Sequence, residues 1–474
     1  MTRPSTEGLA RFFTPASIAV VGASRNPQKL GYVLLDNLQR ARYQGRLYPV
    51  NPRAERILGL TCYPAVAALD ETPDLAILTV PAREVAQVVK ECGERGVRAA
   101  VIITAGFRET GPEGAQAEEA LLAVARQYGV RLVGPNSVGI INTAIGMNAT
   151  FAETAPGRYE VGMLSQSGAV ASAILDWARS IGLGFSKFVS LGNMADLTDV
   201  DFLELLGRDL ECKIIVGYLE GITDGRRLME AARRITSSKP IIVMKVGVTE
   251  AGARAAASHT GALATSDAVV DAAFRQTGVI RARTMAELFD YTLCFAYAPR
   301  PAGPSVAVVT NAGGPGVMAA DAIERMGLKL AVPSAQSEQA LRERLPAAAA
   351  TVNPIDVLGD GDAERYQAVL EVVRDDPAVD AIVVLLTPQR VTEPEQTARV
   401  ISYIAREQAK PLIAVFMGGE AVGRARALLD EARVPVYAYP ERAVRALAAL
   451  TRYSSYRREA AGGSEPRATW AVRL

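Results

Sequence analysis

VGMLSQSGAVASAILDWARSIGL (161–183) and VAVVTNAGGPGVMAADAIERMGL (306–328) align over their whole length without a gap. Each passes from a β-branched apolar run through a Gly-containing turn into an amphipathic helix that stops at glycine, the pattern of strand, turn and helix. KPIIVMKVG (239–247) is likewise matched by KPLIAVFMGG (410–419). Similarity at a fixed spacing marks a duplicated unit. Two flavodoxin-like parallel α/β domains are therefore expected, over 156–298 and 304–455, separated by the Pro/Gly-rich linker APRPAGPS (298–305). The end, 456–474, reads as a loosely ordered tail.

The N-terminal third alternates strand and helix in the same way. SIAVVGA (17–23), RLYPVNP (46–52), DLAILTV (74–80), RAAVIITAG (98–106) and VRLVGP (130–135) are short β-branched runs. Helical patterns such as REVAQVVKECGERG and AEEALLAVARQYG lie between them. This is a Rossmann-like unit, assigned to 1–155, so the fold class is α/β with three parallel-sheet domains.

Bulk properties remove several function classes. The 474 residues carry 52 basic and 51 acidic side chains, which gives nucleic acid or an anionic membrane no electrostatic hold. No apolar run reaches the roughly 20 residues that span a bilayer, and the N-terminus lacks a signal-peptide pattern. Cys62, Cys92, Cys212 and Cys294 are widely spaced, as expected of buried small residues in a reducing cytoplasm. One histidine in the whole chain argues against a His-based metal site, and no metal is expected.

Candidate binding loops sit at strand ends. Gly22 follows the first strand where backbone amides attract phosphate, although VGASRNPQKLG is not a G-x-G-x-x-G fingerprint. The second strand ends in Asn51-Pro52-Arg53, with Arg56 nearby, where NAD-binding folds place an acid. Arginine there suits a phosphorylated ribose, as in NADP or the 3′-phosphorylated ADP of coenzyme A, and equally suits an ordinary surface. In the second domain SQSG (165–168) closes a strand and opens a helix, making either an anion site or a plain N-cap. SLGNMAD (190–196) is a second Gly-containing loop facing the same crevice. Ser165, Ser167 and Gly168 from the first loop, with Gly192 and Asn193 from the second, are the expected phosphate-binding set.

His259 stands in a stretch, VTEAGARAAASHTGALATSD, that the sister domain lacks; the first copy has gained roughly fifteen residues. Its neighbours, Ala256, Ala257, Ser258, Thr260 and Gly261, are too small to hold a packed core histidine. Glu220 ends the strand pattern IIVGYLE, where the sister copy has Thr387, so the fold does not demand a carboxylate. A neutral imidazole is a competent nucleophile near neutral pH, and a carboxylate on its other nitrogen fixes the tautomer.

The order VVGAS, YPVNP, LAILTVP, IITAGF, GPNSVGIIN resembles the CoA-binding domain shared by succinyl-CoA synthetase and ADP-forming acetyl-CoA synthetases. EAGARAAASHTGALATSDAVVDAAFRQTGVIR is similar to the phosphohistidine segment of the ADP-forming enzymes, and the resemblance spans about residues 10 to 455. It implies coenzyme A as substrate, bound by Gly22, Ser24, Asn51, Pro52, Val80, Pro81, Thr104, Ala105 and Asn136, and Arg53 joins this expected set from its place at the end of the second strand. It also implies His259 as the phosphorylated residue and Glu220 as its stabiliser. Met194 departs from many relatives, which carry a basic residue in that loop.

TNAGGPG (310–316) suits a dinucleotide or phosphate loop and equally a plain Gly-rich turn, and Asp356 and Asp360 of NPIDVLGDGD (353–362) offer a metal two carboxylates with no further ligands clustered near them in sequence. A GxxxxGK[ST] phosphate loop is absent, and no block of ATP-grasp size remains. Expected, then, are a partner ATP-grasp β subunit holding Mg-ADP or Mg-ATP, a hetero-oligomer, and a small carboxylic acid and phosphate as co-substrates. The alternatives are a succinate-specific ligase subunit, a non-catalytic CoA-binding homologue, and an NADP-dependent reductase using the first domain.

Overall fold

The computed structural model describes residues 8–153, 159–254, 266–406 and 409–462, which divide into two compact units, 1–281 and 282–474. In the first unit a five-stranded parallel sheet runs in the order Arg46–Val50, Ser17–Val21, Leu75–Leu78, Ala99–Ile102, Arg131–Val133. Every residue of Ser17–Val21, Leu75–Leu78 and Ala99–Ile102 is buried, as expected when helices cover both faces of a parallel sheet. Helices Leu30–Arg40, Ala82–Glu94 and Pro112–Tyr128 supply that cover; the last opens with proline and ends on left-handed Gly129.

The second sheet has seven strands: Ile280–Ala282, Ile241–Lys245, Ile214–Leu219, Val161–Ser165, Lys187–Ser190, Gly139–Asn142 and Met147–Thr150. The last two form an antiparallel hairpin hydrogen-bonded to Lys187–Ser190. Sequence reading leaves 139–150 inside the first domain; by hydrogen bonding it is the edge of the second sheet. Val161–Ser165 lies between its two parallel neighbours, so the crevice beyond Ser165 is a topological switch point.

The second unit is a parallel sheet in the order Lys329–Leu330, Ser305–Thr310, Ala381–Leu386, Leu412–Phe416, Val436–Tyr437, with Ile355–Asp356 also paired to Ser305–Thr310. The duplication reaches single hydrogen bonds. Ser165 Oγ donates to Ser167 O and accepts from Ser167 N, and Thr310 Oγ1 does the same with Ala312. The closing helix, Pro440–Gly462, takes in the start of the expected tail; 463–474 lie outside the described residues. All four cysteines are buried and free, and burial pushes Cys92 to about 12 and Cys212 to about 11. Among the described residues no helix is long and apolar enough to cross a membrane, and no His/Cys/Asp/Glu cluster could hold a metal. Asp360 is instead paired with Arg365 at 2.8 Å.

Candidate functional site

The strand ends of the first sheet are stitched into a continuous rim. Gly22 N donates to Val50 O at 3.0 Å, and Asn51 Nδ2 donates to Ala23 O at 2.6 Å. Thr104 Oγ1 donates to Val80 O at 2.7 Å, and Asn136 N donates to Thr104 O at 3.0 Å. Gly22 has φ +92°, and a Cβ there would lie 2.6 Å from Thr79 Oγ1, so the tight turn needs glycine. A Cβ on Gly31 would come within 2.1 Å of Gly22 O, which shows how closely the following helix approaches this turn. The expected CoA residues therefore share one edge. Arg53 and Pro52 are exposed on it, while Arg56 donates to Gly59 O at 2.6 Å.

At the end of that rim the second sheet begins, and a cavity of about 830 Å³ opens where they meet. Thr104, Ala105 and Asn136 line it from the first sheet; Ser167, Gly168, Gly192 and Asn193 line it from the second. Two sets of residues predicted for different ligands thus face one space. Gly22, Ser24, Asn51, Pro52, Arg53, Val80 and Pro81 lie along the rim without lining the cavity. Ser165 is fully buried behind it, holding the Ser-Gly turn through Ser167. Ser167 caps the helix Gly168–Ser180 by accepting from Val170 N. That leaves the helix's first amides aimed outward beside the positive end of its dipole, an environment for a phosphate oxygen.

The second loop is held by the first sheet. Asn193 N donates to Pro135 O at 2.9 Å and Ala195 N to Gly134 O at 3.1 Å. Asp196 accepts from Arg131 Nε at 2.8 Å, Arg131 Nη2 at 3.2 Å and Leu132 N at 2.9 Å. Gly192 has φ +59°, and a Cβ there would lie 2.2 Å from Pro135 O.

Asn193 behaves differently from its predicted role. Its Nδ2 donates to Glu109 Oε2 at 2.6 Å and to Glu118 Oε2 at 2.8 Å, which uses both of its hydrogens. Burial pushes Glu109 up, but the bonds from Asn193 and the Gly106 and Phe107 amides outweigh it and hold that carboxyl below its ordinary value. Glu118 is buried and ion-paired with Arg108. Sequence reading missed both carboxylates, because nothing local links them to a residue 84 or 75 positions away.

Gln166, buried in the cavity wall, is the third residue that sequence reading passed over. Its Oε1 accepts from Glu220 N at 2.7 Å and Gly221 N at 2.9 Å, and its Nε2 donates to Gly221 O at 2.9 Å. Asn311 grips Thr387 in the same way in the second unit, accepting from its N and Oγ1 and donating to its O. Glu220, half-buried, therefore starts from a fixed backbone, reinforced by Lys245 Nζ donating to Glu220 O at 2.9 Å. Gly221 lines the cavity; Glu220 itself is not among its lining residues. His259, with 255–265, lies outside the described residues. Helix Asp267–Thr277 is tied to Arg281, which pairs with both Asp267 and Asp271.

Three family models match the chain: a CoA binding domain over 16–143, a succinyl-CoA ligase like flavodoxin domain over 157–295 and a Ligase-CoA domain over 306–461. The chain is 44% identical to the alpha subunit of ADP-forming acetate–CoA ligase II of Pyrococcus furiosus, covering 93% of this chain and 96% of that one. It is 45% identical to ADP-forming acetate–CoA ligase I of Archaeoglobus fulgidus, covering 94% of this chain but spanning only 64% of that longer protein. Among solved structures, the dinucleotide-forming acetyl-coenzyme A synthetase 1 of Ca. Korarchaeum cryptofilum, in complex with phosphate and ADP, superposes with TM-score 0.91 at 38% identity, covering 98% of this chain and 99% of that one.

Proposed function

The chain belongs to the ADP-forming acetate–CoA ligases, and on that premise we propose that it is the CoA-binding, phosphohistidine-carrying subunit of such an enzyme. It interconverts acyl-CoA, ADP and phosphate with a carboxylic acid, CoA and ATP. The observation that carries this reading is the single cavity shared by Thr104, Ala105 and Asn136 on one side and Ser167, Gly168 and Gly192 on the other. A thioester led along the first sheet's rim would meet phosphate held at the start of helix Gly168–Ser180.

The chemistry runs in three transfers. A phosphate oxygen bonds to the thioester carbonyl carbon, the C–S bond breaks, and the sulfur leaves with the phosphate's proton as CoA. The imidazole of His259 then attacks phosphorus, the bond to the acyl oxygen breaks, and the carboxylate leaves. Finally the terminal oxygen of ADP takes the phosphoryl group, which gives ATP and restores the ring. Helix and loop amides stabilise the phosphoryl oxygens throughout, the main catalytic resource in such transfers. Glu220 accepts the imidazole's second N–H and balances the charge of the phosphorylated ring.

Mg-ADP or Mg-ATP is held by a separate ATP-grasp β subunit in a hetero-oligomer. The name alpha subunit for a Pyrococcus relative of almost the same extent supports this division, as does the greater length of the Archaeoglobus ligase. The Korarchaeum structure's phosphate and ADP support the choice of ligands. The test uses the chain with acetyl-CoA and radiolabelled phosphate. Wild type should acquire an acid-labile, alkali-stable label, and His259→Asn should bind CoA normally and acquire none. Label on the variant at wild-type level rejects the assignment.

A further inference from the structure

We infer that Lys245 is a positioning residue for the phosphoryl transfer: its buried ammonium holds Glu220 ionised, so that a carboxylate and not a carboxylic acid meets the imidazole. The inference rests on the function proposed above and adds a residue to that site.

The duplication isolates this charge. Leu219 pairs with Lys245 across neighbouring parallel strands, and in the second unit Leu386 pairs with Phe416 in the same register. Glu220 therefore corresponds to Thr387, and Lys245 to Phe416. A carboxylate and an ammonium stand at adjacent strand ends in the copy that carries the inserted histidine segment. Both positions are uncharged in the copy that lacks it.

The fold has no need of the lysine. Phe416 is fully buried at the equivalent strand end, so the architecture accepts an aromatic ring there. The backbone closes the strand pair in the same way in both copies, Val246 N donating to Leu219 O at 3.0 Å and Met417 N to Leu386 O at 2.9 Å. Lys245 is only 6% exposed, and a buried charge costs free energy unless it is compensated. Among the described residues its Nζ donates to two carbonyls, Glu220 O at 2.9 Å and Val246 O. An ammonium has three hydrogens to give, so two carbonyl dipoles leave it short of a counter-charge.

The charged groups around the ammonium identify that counter-charge. Burial pushes Lys245 down; Asp267 opposes this, Arg281 adds to it, and Glu220 opposes it. Asp267 and Asp271 are both ion-paired with Arg281, so those charges largely cancel. The remaining attraction falls on Glu220, whose main chain the ammonium already grips. Tyr218, the neighbouring phenol, is pushed up by burial and by the Glu220 charge, and it stays neutral. Attraction between two charges acts on both partners, so it favours a charged Glu220 as much as a charged Lys245. An ionised carboxylate accepts the imidazole's N–H and offsets the charge of the phosphorylated ring; a protonated one has no charge with which to do so.

The experiment follows the initial rate at which the chain takes label from acetyl-CoA and radioactive phosphate, from about pH 5 to about pH 9. Lys245→Met removes the charge and the donors, whereas Lys245→Gln removes the charge and keeps an amide donor for the carbonyls. In both, the acid limb of the rate profile should move up by about one pH unit or more, because Glu220 without its cation takes up a proton sooner as pH falls. Lys245→Arg should keep the wild-type limb. In a Glu220→Gln background, Lys245→Gln should leave the limb where it was. A lysine that only braced the strands would lower the rate by the same factor at every pH. That result overturns the inference, as does a shift that persists in the Glu220→Gln background. If wild type takes no label at any pH although calorimetry shows CoA bound, the phosphohistidine reading itself fails and the inference falls with it.

Discussion

Replacing Gln166 with leucine should separate what the fold needs from what the chemistry needs. The amide satisfies three backbone groups, the N–H of Glu220 and the N–H and C=O of Gly221, at 2.7 to 2.9 Å. Leucine fills similar space and satisfies none. Leaving a buried polar group without a partner costs about 1–3 kcal/mol, so three such groups, with some relief from solvent, amount to roughly 3–5 kcal/mol. Asn311→Leu provides the control, because it strips the equivalent partners from Thr387 in the duplicated domain. Hydrogen exchange should show early opening at 214–223 in the first variant and at 381–388 in the second, with comparable losses in urea stability. Only Gln166→Leu should also depress phosphorylation of the chain by acetyl-CoA and phosphate, because only there does the displaced backbone carry Glu220. A stability loss below about 1 kcal/mol, or equal phosphorylation by the two variants, would refute the reasoning.

Three further outcomes are expected. Burial raises Asp199 from 3.8 to about 6, so the folded state holds its proton more tightly and this group favours the fold below pH 4. That contribution, on the order of 3 kcal/mol, is lost as pH rises to about 6; relative to wild type, Asp199→Asn should therefore gain stability from pH 4 to 7 in urea titrations. Asp196→Ala should cost about 1–3 kcal/mol, and more than Arg131→Ala, because the carboxylate also accepts from Leu132 N; a double-mutant cycle in urea checks the order. Asn193→Asp would set a third carboxylate against Glu109 and Glu118, and phosphorylation of the chain should fall at least ten-fold while CoA affinity, measured by calorimetry, changes little.

What the sequence disclosed follows from how local each feature is. The two βα units were legible because strand, turn and helix are written into 161–183 and 306–328, and a gapless repeat leaves no freedom of alignment. The hairpin was not legible, because Gly139–Asn142 and Met147–Thr150 are four residues each and their attachment to Lys187–Ser190 is decided by tertiary pairing. Among the site residues, the Ser-Gly turn announces itself as a cap. Asn193 announced an amide but not its partners, which come from another domain. Gln166 had a signal that could have found it: it aligns with Asn311, so an amide recurs where a turn alone would accept many residues.

The most direct test of the account is to map the phosphorylated residue by peptide mass spectrometry after brief incubation of the chain with an acyl-CoA and phosphate. The account predicts one phosphoryl group, on the peptide containing His259, that disappears when ADP and the nucleotide-binding partner are added. A phosphoryl group on any other peptide, or one that survives that addition, contradicts it.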